Sequence, residues 1–462
     1  MLGVALGVHA EPKMRYDRWF NHYHDSIVYK IFLKHKTSAD TVTTVEQAIE
    51  IAKRIHDYSG GIHQIAYLVG WNSDGHDSKY PDFLPVGDQC RSSLSDDPAE
   101  SIRLAMKAVQ KYNADMSLHI CMNDAYTNAP SWQTYVDNDL ICRNKDGSLL
   151  RGGVFGGEQS YRISHVKEFK KGFAQKRILQ LLETFPDLKR SGTVHIDAFF
   201  GQPSEYEGIS TLDDFKAVCA ITDFWHSQCV DVTTEFIGSR KHVGMFPMCY
   251  HLNMDEQMQL EVPPTLLCGG GDLWNARSRY DYYNTKDSFF TMWLAPSAGA
   301  AYPEAWGVGS LRGDLDRRCL SDPHALIDRL FSAGLIFCYY NKSMPVKHWE
   351  DAKVYVVERA NGVVASVRKS DRRLEVKDNG RLVLDGGDCL LDFPHRGGTF
   401  LAYSREGCDR EYVLPQTFAG ARFLKGTQWP EGMSVRIPVT NGTVRVSLPK
   451  MSSLVLWPMP KK

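Results

Sequence analysis

Ile62-His63-Gln64-Ile65-Ala66-Tyr67-Leu68-Val69 runs without a break into Gly70-Trp71-Asn72-Ser73-Asp74-Gly75-His76-Asp77-Ser78-Lys79-Tyr80-Pro81-Asp82-Phe83. The first run is short and mostly apolar, which marks a strand. The second is polar and dense in Gly, Asp, Asn and Ser, which marks a loop beyond the strand's C-terminal end. The same pairing recurs along the chain. Segments 26–33, 116–121, 193–199 and 230–236 read as strands, with shorter ones at 244–250 and 265–268. Between them 44–58, 98–112, 166–185 and 212–228 read as helices. In the first of these, Val45, Ala48, Ile49, Ala52 and Ile55 recur at helical spacing. Residues 122–165 read as one long polar loop, and the stretch up to residue 340 as rich in helix. Such alternation predicts parallel strands joined by crossover helices.

A closed barrel and an open doubly wound sheet both satisfy that pattern, and the loops decide between them. Segments 71–83, 122–135, 199–206, 237–241 and 269–279 are polar and follow strand C-termini. Functional residues spread over many such loops are the habit of the barrel. An open sheet would concentrate its signal in one glycine-rich first turn, and Gly269-Gly270-Gly271 lacks the continuation that turn needs. The expected fold class is therefore α/β, a TIM-type (β/α)8 barrel over residues 15–345. Beyond residue 350 the texture changes. Segments 354–357, 363–368, 381–384, 400–403, 434–438 and 443–448 alternate in period two. Asn361-Gly362, Asn379-Gly380 and Asn441-Gly442 supply hairpin turns, because Asn and Gly tolerate positive φ. A C-terminal antiparallel β-sandwich over 350–462, packed directly on the barrel, is the expectation.

Lys plus Arg number 54 against 55 Asp plus Glu, a balance that asks for neither a nucleic acid nor an anionic membrane as partner. A neutral carbohydrate suits it better. The 11 Cys include no Cys-x-x-Cys spacing, which argues against structural zinc. Cys121, Cys249, Cys268 and Cys338 lie in or beside apolar runs and read as buried thiols, so few or no disulfides are expected. Residues 1–10 read as the remnant of a secretion signal, ending in Val8-His9-Ala10, which points to a secreted or periplasmic rather than cytoplasmic location. Neither Gly-x-Ser-x-Gly nor His-Glu-x-x-His occurs, which disfavours serine and zinc hydrolases.

Val194-His195-Ile196-Asp197-Ala198-Phe199-Phe200 puts a carboxylate at the end of an apolar strand, and Val232-Thr233-Thr234-Glu235-Phe236 repeats the device on the next one. A single acid at a strand end is ordinarily a solvated loop residue. Two on consecutive strands are a sharper signal. Neighbouring strands lie about 5 Å apart, so the two carboxyls meet at the roughly 5–5.5 Å that retaining glycosidases use. On that reading Asp197 is the nucleophile and Glu235 the general acid/base. The 70–83 loop is either an Asx-turn-rich surface loop or a sugar clamp, with Trp71, His76, Asp77 and Asp82 as contacts. Carboxylates accept from vicinal hydroxyls, and aromatic faces pack on pyranose rings. A Ca²⁺ held by Asp74, Asp77 and Asp82 is the weaker reading, since the spacing of a calcium loop with its terminal Glu is absent. No metal is assigned. His119, Asn123 and Asp124 around the end of the third strand, and Trp274 in the 269–279 loop, complete the candidate contacts. His119 has an alternative as a hydrogen-bonded core residue. His195, two before Asp197, shares its strand face and supports it.

Gly75-His76-Asp77-Ser78 followed by Tyr80-Pro81-Asp82 resembles the Gly-His-Asp-Ser…His-Pro-Asp signature of the endo-α-N-acetylgalactosaminidases, glycoside hydrolase family 101. His119-Ile120…Asn123-Asp124-Ala125-Tyr126 and Asn144-Lys145-Asp146-Gly147-Ser148 are similar to two further motifs of that family. His195-Ile196-Asp197 and Thr234-Glu235 fall where it and the related family 129, the α-N-acetylgalactosaminidases, carry nucleophile and acid/base. Order and approximate spacing agree over residues 60–240. Glu235 is followed by Phe236-Ile237-Gly238, where the family usually has Trp-Gly. The resemblance implies double-displacement cleavage of α-linked N-acetylgalactosamine or galactose-type glycosides, as on mucin-type O-glycans. The alternatives are action on another α-galactoside or α-glucoside, or a barrel that binds carbohydrate without turnover.

Overall fold

The computed structural model describes residues 19–36, 42–234, 243–247, 256–266, 302–306, 314–393, 398–418 and 420–459. The first part alternates as the sequence predicts: β1 (Ile27–Phe32), α1 (Val45–Ser59), β2 (Gln64–Val69), α2 (Pro98–Ala108) and β3 (Ala114–Cys121). Local chemistry sets the helix ends. Thr44 and Gln47 form a reciprocal capping box at the start of α1, and Gly60 closes it at φ 66°. Asp97 caps α2, with Pro98 at its first turn.

The segment expected to be one polar loop carries structure of its own. It contains β4 (Asp124–Tyr126), α3 (Trp132–Asp137), β5 (Arg151–Phe155) and β6 (Glu158–Arg162), and the three strands pair in the order β4-β6-β5. The Gly156-Gly157 turn joining β5 to β6 runs at φ 55° and 80°, the left-handed pair a two-residue hairpin requires. The single helix expected over 166–185 is two, α4 (His165–Lys170) and α5 (Phe173–Thr184), divided at Gly172 with φ 80°. There follow α6 (Asp187–Ser191), β7 (Thr193–Asp197), α7 (Thr211–Ser227) and β8 (Asp231–Thr234). The strands expected at 244–250 and 265–268 are not formed where those segments are described. Residues 243–247 make a turn closed by a Val243–Phe246 bridge, and Pro264–Leu266 is a 3-10 turn. An unforeseen strand, β9 (Asp314–Leu315), pairs with β1.

All five pairings among these six strands are parallel, in the order β8-β7-β3-β2-β1-β9. One face of the sheet packs under the helices. Ile27, Tyr29, Ile31, Ala66, Leu68, Met116, Leu118, Ile120, Val194 and Ile196 join Ile51, Ile55, Ile102, Ile178 and Ile221 in the main apolar core. The other face carries polar groups that bond across strands. The Tyr67 hydroxyl meets Thr193 at 2.7 Å and Thr233 at 3.1 Å, and His195 Nδ1 meets Thr233 at 2.9 Å. Period-two alternation thus separates a lipophilic side from a chemical side on the same strands.

From Pro345 onward the topology is antiparallel. Twelve strands form one hydrogen-bonded order, the first seven in chain sequence from Pro345–Glu350 to Thr399–Ser404. Then come Ser452–Met459, Phe423–Trp429, Met433–Thr440, Thr443–Leu448 and Cys408–Val413. Asn379-Gly380 and Asn441-Gly442 adopt the left-handed turn their sequence predicts. One apolar face of this sheet is continuous with the main core through Tyr355, Val357, Leu391, Leu401 and Val455. The other forms a second core around Phe400, Leu424, Val444 and Leu456. The buried Arg359 guanidinium reaches back to the carbonyls of Tyr340, Ser343 and Trp306. Gly60 sits so close to this sheet that a Cβ would lie 2.9 Å from the Thr399 methyl.

Nine cysteines fall among the described residues and all are free thiols, with Cys121 and Cys338 buried. Cys249 and Cys268 lie outside the described residues. No helix among the described residues is long and apolar enough to cross a membrane.

Candidate active site

Asp197 is the last residue of β7, and the sheet order brings the C-terminal ends of β2 and β3 to the same side. The loop after β2 folds back so that His76 and Asp77 meet it. Their ligand-type atoms and a carboxylate oxygen of Asp197 all lie within 4.8 Å of one another. His76 Nε2 stands 3.4 Å from Asp77 Oδ2. Below this group the imidazoles form a column. His76 meets the edge of His119 at 5.2 Å, His119 stacks on His195 at 5.0 Å, and Tyr67 lies 5.3 Å from His195. Phe32 closes the other side against His76 at 5.7 Å.

Gly70 explains how the loop reaches this position. It turns at φ 73° against the Lys34 carbonyl, which receives the His76 N–H at 3.0 Å. The Arg177 guanidinium, buried on α5, then donates to the Pro81 carbonyl at 3.0 Å, lies over the Phe83 ring at 4.7 Å, and pairs with Glu168 at 2.7 Å. The loop is clamped at both ends.

The remaining candidates are placed differently. Trp71 is 1% exposed, donates its indole N–H to the His119 carbonyl at 2.8 Å and packs against Phe185. It is a core residue, and no ring face is left for a sugar. Asn123 is fully buried, and its amide donates to the carbonyls of Asp197 and Ala198. It serves the backbone rather than a ligand. Asp82 accepts from the Ser131 N–H at 2.9 Å and hydroxyl at 2.7 Å, tying two loops together. Asp124 is buried and bonded to Arg162 on β6 at 2.8 Å. His119 is buried within the imidazole column. Asp74 is committed to Lys79 at 2.9 Å and Asp82 to Ser131, so the calcium set of Asp74, Asp77 and Asp82 does not converge. Among the described residues, the metal-capable group is instead His76, Asp77 and Asp197. Glu235 and Trp274 lie outside the described residues.

Among the described residues, Asp77, Asp124 and Asp197 act together on the neighbouring thiol and phenol groups. Burial raises the Asp124 carboxyl, and the Arg162 guanidinium opposes that. Burial pushes the Cys121 thiol well up, with Asp124 and Asp197 adding to the effect. Burial likewise holds the Tyr80 phenol protonated, helped by Cys121, Asp77, Asp197 and Asp124. Arg162 and Arg177 were not foreseen as parts of this region, and Tyr80 entered only as a member of the 70–83 loop motif. For Arg162 the signal was present, since Phe155-Gly156-Gly157-Glu158 reads as a hairpin turn once 122–165 is not taken as a single loop.

Residues 10–235 match the family model described as endo-alpha-N-acetylgalactosaminidase, glycoside hydrolase family 101. Among solved structures the chain is similar to the ligand-free α-N-acetylgalactosaminidase NagBb from Bifidobacterium bifidum, with TM-score 0.53 and 14% identity over 76% of this chain and 57% of that one. The GalNAc complex of the same protein gives TM-score 0.52 and 13% identity over 77% and 58%. At such identity the likeness speaks to the fold alone, and this chain spans under two thirds of that protein's length. No curated protein matches the chain.

Proposed function

We propose, on the premise that residues 10–235 carry a glycoside hydrolase family 101 domain, that this chain is a retaining glycosidase acting on α-linked sugars. Its strands are read as staves of a (β/α)8 barrel spanning 15–345, followed by a β-sandwich over 350–462. The favoured substrate is an α-N-acetylgalactosamine or galactose-type glycoside, as on mucin-type O-glycans.

The observation that carries the reading is the Asp197 carboxylate at the end of β7, gathered with His76 and Asp77 within 4.8 Å. The register of the neighbouring strand supports the second acid. Pairing runs from Thr193 with Asp231 to Ile196 with Thr234, and Glu235 follows Thr234 directly in the sequence. Asp197 attacks the anomeric carbon while Glu235 protonates the leaving oxygen. Glu235 then draws a proton from water, which releases the sugar from the Asp197 ester with overall retention. His76 and Asp77 are assigned to the sugar hydroxyls, because they reach the group without being consumed by loop packing.

A panel of aryl α-glycosides of N-acetylgalactosamine, galactose and glucose tests this and separates the α-galactoside and α-glucoside alternatives. Asp197→Asn and Glu235→Ala should each lower turnover by orders of magnitude, and azide should restore the Glu235→Ala variant on substrates with an activated leaving group. First appearance of the inverted anomer in an NMR time course refutes the nucleophile assignment. Sugar binding without any turnover favours a barrel that only binds carbohydrate.

A further inference from the structure

The turn just beyond Asp197 is held from both sides. Ala198 sits at φ 44°, in the left-handed region where a Cβ crowds the neighbouring carbonyl and which only Gly enters freely. A side chain from each flanking strand region bonds the backbone around it. Asn123, two residues past the end of β3, donates its amide to the carbonyls of Asp197, at 3.3 Å, and of Ala198. Thr234, at the end of β8, accepts the Phe199 N–H at 3.0 Å. Asn123 is itself fixed, since it is fully buried and its backbone carbonyl receives the Ile163 N–H at 2.8 Å.

We infer that Asn123 and Thr234 are positioning residues, which act through the Ala198 turn to aim the Asp197 carboxylate. The inference rests on Asp197 being the nucleophile, as proposed above. Strain in one residue persists only where the surroundings over-determine it. Here the two surrounding side chains hydrogen-bond to the two peptide groups that flank Ala198. With either bond lost, Ala198 relaxes toward negative φ. The peptide between Asp197 and Ala198 then rotates, and the carboxylate leaves its line of attack. Displacement of a reacting atom by about 1 Å costs on the order of 100-fold in rate. The effect falls on the chemical step rather than on sugar binding.

The test uses the full chain and the aryl α-glycoside that the wild type turns over fastest. Asn123→Ala should lower kcat roughly 10- to 100-fold with KM little changed. Adding Ala198→Gly to that variant should restore about tenfold, because Gly occupies the left-handed turn without the side-chain bond. Thr234→Val should lower kcat while Thr234→Ser, which keeps the acceptor, stays close to wild type. This second pair decides the matter should Asn123→Ala fail to fold. Unchanged kcat in both Asn123→Ala and Thr234→Val overturns the inference alone, and so does a loss that Ala198→Gly and Thr234→Ser leave untouched. A wild type without turnover on any of the aryl glycosides overturns the glycosidase reading, and this inference with it.

Discussion

Arg177→Ala is the most informative single change outside the reacting groups. The guanidinium is buried on α5, 2.7 Å from Glu168 and 3.0 Å from the Pro81 carbonyl, with the Phe83 ring 4.7 Å from its centre. Glu168 has no exposure, and its other partner is the Tyr135 hydroxyl. Burial alone would lower the Arg177 guanidinium, and the Glu168 carboxylate beside it more than offsets that and keeps it protonated. Truncating the Arg leaves a carboxylate inside the protein with one hydroxyl to support it, a change that costs about 3–5 kcal/mol. Loss of the bond to Pro81 adds about 1 kcal/mol. Removing both charges in Arg177→Met with Glu168→Leu restores most of this, since apolar replacement of a buried pair is often close to neutral. Urea denaturation followed by tryptophan fluorescence measures it. At a slope of roughly 3 kcal/mol/M the single variant loses more than about 1 M of midpoint. A single variant within about 1 kcal/mol of wild type, or a double variant less stable than the single, refutes the argument that the pair braces the loop.

Asp231, at the start of β8, accepts from the Phe20 N–H, the Tyr23 hydroxyl and His226, yet burial pushes its carboxyl up to about 7. A group raised in the folded state stabilises it fully below the unfolded value and loses that contribution as pH climbs through the folded one. Thermal stability relative to Asp231→Asn should therefore fall by roughly 4 kcal/mol between about pH 4 and 7, and a flat difference across that window rules it out. The His226 shift runs the other way, and because His226 bonds to Asp231 the comparison reads the two groups together. Gly70→Ala would put a Cβ 1.9 Å from the Lys34 carbonyl oxygen at φ 73°. Left-handed strain of ~1–2 kcal/mol and overpacking of ~1–3 kcal/mol should together be plain in the same urea titration, with a shift below about 1 kcal/mol contradicting the close approach.

The parallel part of the fold was legible because its signal is repetitive. β1, β2, β3 and β7 are short, largely buried runs that lead into loops, β8 is buried although its sequence is Asp-Val-Thr-Thr, and α1 shows its buried stripe in Val45, Ala48, Ala52 and Ile55. What escaped was local and non-periodic. The β5–β6 hairpin is only half buried, so its strands lack an apolar alternation, and β9 is too short to carry a pattern. In the candidate site, Asp197, His76 and Asp77 could be selected because acids and imidazoles at strand ends stand out. The error with Trp71 and Asn123 had one cause. Position after a strand was taken as exposure, whereas the sharp turn at Gly70 folds Trp71 under its own loop. Backbone geometry at Ala198 gave the Asn123 amide a partner that no residue pattern announces.

The apolar mass that begins beneath α1 and continues into the antiparallel sheet has no seam: Ile51 and Val455 belong to one cluster. Each half therefore serves as solvent for the other. Exchanging the C-terminal strands would require new apolar surfaces on the helices that share this cluster. Variation is cheapest at the far margin, among strands such as Cys408–Val413 and Thr443–Leu448 whose buried apolar side chains belong to the second core.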